Sequence, residues 1–208
     1  MITPSSLNDL EKDAISEVFN IGISRSAASL SEMVGKEVLL SVPSLSISQF
    51  SEAVAELSSS SGNISGVLEE FDGSVAGNAI LLFPHDKTME LMKLIYPPEM
   101  TDDILLEMED DTMSEIGNIL LNATLSSLSE ILDEEILNRI PQTISGSVED
   151  VLHTSNMAKS GHEHVLRMNL TMTIADANIN GEVSFLIIIK SIQSFKQKLA
   201  QYFGLPLS

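Results

Sequence analysis

Asp13, Glu17 and Asn20 punctuate the segment DAISEVFN, and Asp111, Glu115 and Asn118 punctuate DTMSEIGN with the same spacing. From 13 to 111, from 17 to 115 and from 20 to 118 the step is 98, nearly half of a chain of 208 residues. A carboxylate on a rigid element can pair with a lysine of a docked partner. A carboxamide one turn away both donates and accepts hydrogen bonds. It can hold a water in line with a phosphoryl group, although it is no strong general base. Such a set suits a reaction whose other groups come from the partner. Phosphoryl transfer, which depends mainly on positioning and charge neutralisation, is the reaction it fits best.

The element that must carry each triplet is a helix. At 100° per residue, positions i+4 and i+7 lie about 40° and −20° from position i, so each triplet forms one stripe. Ser24 and Asn122, eleven residues after Asp13 and Asp111, extend the stripes. The opposite arcs hold Ala14, Ile15, Val18 and Gly22 in the first segment and Met113, Ile116, Leu120 and Ala123 in the second. These face a core. Carboxylates on an amphipathic helix are ordinarily solvated surface and need no explanation. Asparagine does need one, because its side chain competes for backbone groups and makes it a poor helix former.

Around the stripes the chain reads as one domain, residues 1–208, made of two similar halves at about 1–98 and 99–208. Ser5, Ser6 or Asn8 caps a helix from about Leu10 to Met33, and Gly35 ends it. A strand from Glu37 to Val42 is expected to stop at Pro43. Ile47, Phe50, Ala53, Val54 and Leu57 recur at helical spacing, and SSSSGN (58–63) reads as a loop. Strands at Ile64–Glu70 and Ser74–Phe83 flank a turn at Asp72–Gly73. Pro84 opens a helix in which Met89, Leu91, Met92 and Ile95 are apolar, and Pro97–Pro98 closes the first half.

The second half repeats the order. An acidic lead-in (Asp102–Asp111) precedes a helix from about Thr112 to Leu132. A short strand around Glu135–Ile140 stops at Pro141, and the stretch from Ile144 to Val151 is ambiguous. HTSNMAKSGHEH (153–164) is a loop. Strands at Val165–Ala175 and Gly181–Lys190 flank a turn at Ala177–Asn178. A last helix, Ile192–Phe203, ends at Gly204. The fold class is therefore α/β: a pseudo-twofold duplicated α+β unit whose strands join in one mainly antiparallel sheet covered by helices, two of them long and motif-bearing.

Composition removes several functions. A net charge of −19 argues against nucleic acid and anionic membrane surfaces and favours a partner with a basic rim. Without cysteine there is no disulfide, thiolate nucleophile or Cys-ligated metal. The N-terminus has no signal-peptide pattern, and the late apolar run Val183–Ile189 is too short to span a bilayer, so a soluble, cytoplasmic protein is expected. His162 and His164 flank Glu163, but the spacing is not that of a zinc-protease helix and the segment is a polar loop. The acidic run lacks calcium-loop spacing. The glycines at 62, 66, 73 and 77 make no phosphate cradle. Met89 and Met92 read as core filler.

The stretches Glu17–Ser31 and Asp111–Leu132 resemble the two signatures of the CheC-type phosphatases, a family that also includes CheX and FliY, and the resemblance extends over essentially the whole chain. It implies an enzyme that hydrolyses the aspartyl-phosphate of a CheY-like receiver domain in chemotaxis. Glu17 and Glu115 would pair with the receiver's lysine. Asn20 and Asn118 would enter its active site and orient water. Asp13, Ser24, Asp111 and Asn122 would line the docking surface. No cofactor is expected on this chain, because the phosphoaspartate and Mg²⁺ belong to the receiver. With no switch domain following residue 208, a CheC-like two-site member is expected rather than a FliY-type one. The alternative is a non-catalytic adaptor that binds receivers or the CheD deamidase. Phe19 precedes Asn20 where Gly117 precedes Asn118, and Leu120 stands where the first half has Gly22. The ring of Phe19, at about 240° from Asp13, points away from the stripe. Asn118 is the asparagine to test first.

Overall fold

The computed structural model of the protein describes residues 7–60, 63–72, 77–154, 164–174, 179–189 and 192–204. Gly73 of the turn expected at Asp72–Gly73, the turn expected at Ala177–Asn178, residues 155–163 of the expected loop, and the capping serines Ser5 and Ser6 lie outside these residues.

Asn8 supplies the first cap. Its Oδ1 accepts from the Glu11 backbone N–H at 2.9 Å, and Glu11 accepts in return from the Asn8 N–H at 2.7 Å. This reciprocal box satisfies two orphan donors and fixes the start of α1 (Asp9–Val34) one turn before Asp13. Gly35, at φ 68°, ends it in the left-handed conformation. After β1 (Val38–Gln49) come α2 (Phe50–Ser60), β2 (Asn63–Asp72), β3 (Gly77–Pro84) and α3 (His85–Ile95). The second half comprises α4 (Asp102–Leu132), β4 (Leu137–Asn138), β5 (Gln142–Ser147), α5 (Val148–Thr154), β6 (His164–Ile174), β7 (Ile179–Ile189) and α6 (Ile192–Phe203).

The sheet runs β1-β6-β7-β3-β2-β4, with β5 also paired to β2, and every pairing is antiparallel. β1, from the first half, edges the β6–β7 pair of the second. β4 and β5, from the second half, edge the β2–β3 pair of the first. Helices cover both faces. On one side α1 and α4 pack over Val67, Phe71, Leu81, Leu166 and Met168, and on the other α2 and α5 cover Ile64, Leu68, Ile80 and Leu82. β3 is buried on both faces, which accounts for its unbroken run AILLF.

Four expectations change. β1 does not stop at Pro43 but continues to Gln49. Its register slips between Ser41 and Ser44, and a bulge there accommodates a residue that has no N–H for the ladder. The serines after Leu57 extend α2 to Ser60 rather than opening a loop. The acidic lead-in is itself helical, so α4 begins at Asp102, where carboxylates suit the positive end of the helix dipole. The strand expected at Glu135–Ile140 shrinks to two residues, and the ambiguous stretch after it resolves into β5 and α5.

Candidate functional site

Both stripes lie on the outer side of the helix pair. Asp13, Glu17 and Ser24 on α1 are exposed and Asn20 is half-buried; on α4, Asp111 and Glu115 are exposed and Asn118 and Asn122 half-buried. The inner arcs hold the helices down. On α1 this arc includes Ile15, Phe19, Gly22, Ile23 and Leu30, and on α4 Met113, Ile116, Leu120, Leu121 and Leu125. Apart from Gly22, each of these buried apolar side chains stabilises the docked helix by about 1.5–3 kcal/mol. Ala14, Val18 and Ala123, expected inside, are only half-buried. Phe19 is fully buried at 0% exposure, so its ring anchors α1 rather than crowding the approach to Asn20. Met92 is core and Met89 lies at its margin.

Two glycines set the heights of the helices. A Cβ on Gly22 would stand 1.8 Å from Ser127 Oγ and 3.1 Å from the Ala123 carbonyl, so α1 and α4 cross at contact distance there. A Cβ on Gly117 would stand 2.6 Å from Val67 of β2. Gly117 therefore lets α4 sit directly on the sheet, one residue before Asn118. The hydroxyls trapped at the crossing are satisfied within their own helices: Ser26 donates to Ile23 O, Thr124 to Leu120 O and Ser127 to Ala123 O.

The two asparagines are held differently. Asn20 Oδ1 accepts from the Val42 backbone N–H at 2.8 Å, a donor that the bulge in β1 removes from the ladder. The partner is backbone, so the amide orientation is fixed and Nδ2 is turned away from the strand. Asn118 Oδ1 accepts from Asn122 Nδ2 at 2.7 Å, and Asn122 Oδ1 accepts from Asn138 Nδ2 at 2.7 Å. Its support is a relay of side chains ending on β4. Since β1 and β4 occupy opposite ends of the strand order, the two sites hang over opposite sheet edges, on the order of 20 Å apart along the sheet. They are two separate surfaces and do not converge on one substrate.

Sequence reasoning missed Asn138 and Glu69. Phe71 of β2 is directly opposite Asn138, and Glu69 is its diagonal neighbour on the same face, at 1% exposure. Burial pushes the Glu69 carboxyl up to about 7, partly offset by a hydrogen bond with the Asn138 side chain. Its Oε2 has no partner among the described residues. Two adjacent glutamates in an apolar strand, VLEEF, one of which must face the core, were the available signal. Glu109 of the acidic run is also engaged: Ser65 donates to it at 2.8 Å, and His85 Nδ1 lies 3.0 Å from the same hydroxyl. Among the described residues no cluster of three or more His, Asp or Glu side chains is set to hold a metal, and no helix is long and apolar enough to cross a membrane.

Comparison with known proteins follows this geometry. A family model described as CheC-like matches residues 10–47, which span α1 and most of β1 and so include the first stripe. A curated relative, the CheY-P phosphatase CheC of Bacillus subtilis, is 21% identical over 141 residues, covering 66% of this chain and 68% of that one. The fold is shared with Thermotoga maritima FliY at a TM-score of 0.73 and 18% identity, over 97% of this chain and 100% of that one. A FliM middle domain from H. pylori gives 0.62 at 13% identity, over 94% and 99%. The chemotaxis protein CheX of Desulfovibrio desulfuricans gives 0.52 at 16%, over 85% and 99%. The signature helix thus resembles the CheC-like family, about two thirds of the chain aligns with a CheC relative, and the fold is the one seen in FliY.

Proposed function

We propose that this CheC-like protein hydrolyses the aspartyl-phosphate of a CheY-like receiver domain. The observation that carries the reading is the pair of stripes: on each long helix an exposed glutamate stands one turn from an asparagine whose Oδ1 is anchored. Glu17 or Glu115 pairs with the receiver's lysine and sets the distance of approach. Asn20 or Asn118 then reaches the acyl phosphate and orients a water. The water oxygen attacks phosphorus and the bond to the aspartyl oxygen breaks. The receiver's carboxylate is regenerated, and the phosphate leaves with the water's oxygen while a proton passes to solvent. Mg²⁺ arrives with the receiver and neutralises the phosphoryl oxygens. Asp13, Ser24, Asp111 and Asn122 contribute to docking, where exposed carboxylates act on the rate of encounter with a basic rim more than on affinity. The name of the Bacillus relative supports this activity.

The fold shared with a FliM middle domain favours a second reading, in which the same stripes dock a receiver, or the CheD deamidase, without hydrolysis. A receiver labelled with phosphate on its aspartate separates the two. Phosphatase activity predicts that catalytic amounts of the protein accelerate loss of label. Saturable binding with an unchanged rate of loss would leave the adaptor in its place.

A further inference from the structure

We propose that Glu69 is a positioning residue for the second site, setting through Asn138 and Asn122 which way the Asn118 carboxamide points. The inference rests on the reading of Asn118 as a water-orienting group and adds a control to it. Its basis is geometric. Glu69 is buried beneath α4 two residues from Val67, the side chain on which Gly117 rests. Its diagonal neighbour across the β2–β4 pairing is Asn138, whose side chain starts the relay of two 2.7 Å hydrogen bonds to Asn118.

A chain of carboxamides has a polarity, and the group at its buried end chooses it. A charged Glu69 can only accept. Asn138 then donates from Nδ2 both inward and to Asn122 Oδ1, Asn122 donates to Asn118 Oδ1, and Asn118 turns its N–H groups outward. A neutral Glu69 can donate to Asn138 Oδ1. Every amide in the chain then reverses, and Asn118 turns Oδ1 outward. The two states differ in what they offer a water. An outward N–H donates to the water oxygen, whereas an outward Oδ1 accepts one of its protons, so the two states hold the water in different orientations. The unpartnered Oε2 and a carboxyl pushed up to about 7 by burial put both states within reach near neutral pH.

Among the described residues the neighbouring elements supply no competing charge on this face. Ala79 of β3 lies opposite Glu69. Arg139, after β4, pairs with Glu70 and Asp72, which alternate to the other face. From α4, Glu115 is exposed, and Glu109 with His85 is engaged at Ser65, about 13 Å away along β2. The first site has no such relay, because Asn20 is fixed to backbone.

The test uses the full-length protein and two readouts. In the free protein, the side-chain amide resonances of Asn118 are followed by NMR from pH 5.5 to 8.5, in wild type and in Glu69→Gln. The expected result is a titration near pH 7 in wild type that is lost in the variant. Asn138→Ala, on the exposed edge, removes the link between Glu69 and Asn122 and is expected to abolish the same titration. Resonances that do not titrate in wild type, or that titrate unchanged in both variants, overturn the proposal whether or not the protein is a phosphatase. Separately, the second site alone is assayed in Asn20→Ala and the first site alone in Asn118→Ala. The ratio of their rates should change by up to about tenfold between pH 6 and pH 8, in step with the ionisation of one carboxyl, and flatten with Glu69→Gln. A ratio independent of pH in active enzyme overturns the role of Glu69, whereas no hydrolysis at either site overturns the phosphatase reading alone.

Discussion

At the scale of single residues, each anchor is a polar group that the fold itself leaves over. Val42 loses its ladder partner to a bulge and gives its N–H to Asn20. Asn138 sits on a two-residue edge strand and supports Asn122. Glu69 also leaves a signature in stability. Its carboxyl is neutral in the folded state up to about pH 7 but ionises near the ordinary 4.5 when unfolded. The folded state therefore binds the extra proton between those values, and stability is lost as pH rises from about 4.5 to 7. At about 1.4 kcal/mol per unit the loss amounts to up to about 3 kcal/mol. Glu69→Gln should remove it, so chemical denaturation at pH 8 is expected to find the variant more stable than wild type and at pH 5 nearly equal to it. A gap unchanged between the two pH values would refute the assignment. Glu17 and Glu115 are exposed, and replacing each by Gln should weaken receiver binding only a few-fold, by about 1 kcal/mol or less. The effect should shrink with added salt, as titration at two ionic strengths would reveal.

At the scale of elements, the helices that carry the stripes are positioned by glycine. Gly22→Ala has nowhere to place its methyl, because Ser127 and the α4 backbone already occupy the space. The crossing should open at a cost of about 1–3 kcal/mol, visible as a lowered Tm. The C-termini differ in a testable way. Gly35 and Asp133 both adopt the left-handed conformation, at φ 68° and 50°, and only glycine does so without strain. Asp133→Gly should therefore stabilise α4 by up to about 1 kcal/mol. The 98-residue step from 35 to 133 was present in the sequence but conspicuous only once both backbone angles were known.

Much of this level could be read in advance, because 3.6-residue periodicity and stop signals are local: α1, α3 and α6 lie within a residue or two of expectation. The departures have a common cause. Whether β1 passes Pro43 is decided by a partner distant in sequence, β6, and the early turns of α4 also meet one, in the Ser65–Glu109 contact. The stripes were legible because their spacing repeats. The relay was not, because Glu69, Asn122 and Asn138 meet only through the β2–β4 pairing.

At the scale of the whole molecule, strand exchange binds the halves together. Each half's first strand or strands edge the other half's hairpin pair, and both long helices share one core with β1, β2, β3, β6 and β7. Fragments 1–98 and 99–208 expressed separately would each expose a sheet edge and half a core. Neither should give a cooperative unfolding transition alone. The same arrangement sets the two stripes over opposite edges of the sheet, where two receivers could be engaged independently.

The measurement that bears most directly on function is the decay of a phosphorylated CheY-like receiver under limiting amounts of wild type, Asn20→Ala, Asn118→Ala and the double variant, with receiver binding followed in parallel. Loss of one water-orienting group typically costs about 100-fold or more at its own site. Each single variant should therefore keep only the rate of the remaining site, and the double variant should bind the receiver yet leave its decay at the unassisted rate. A double variant as active as wild type would contradict the assignment of the two asparagines.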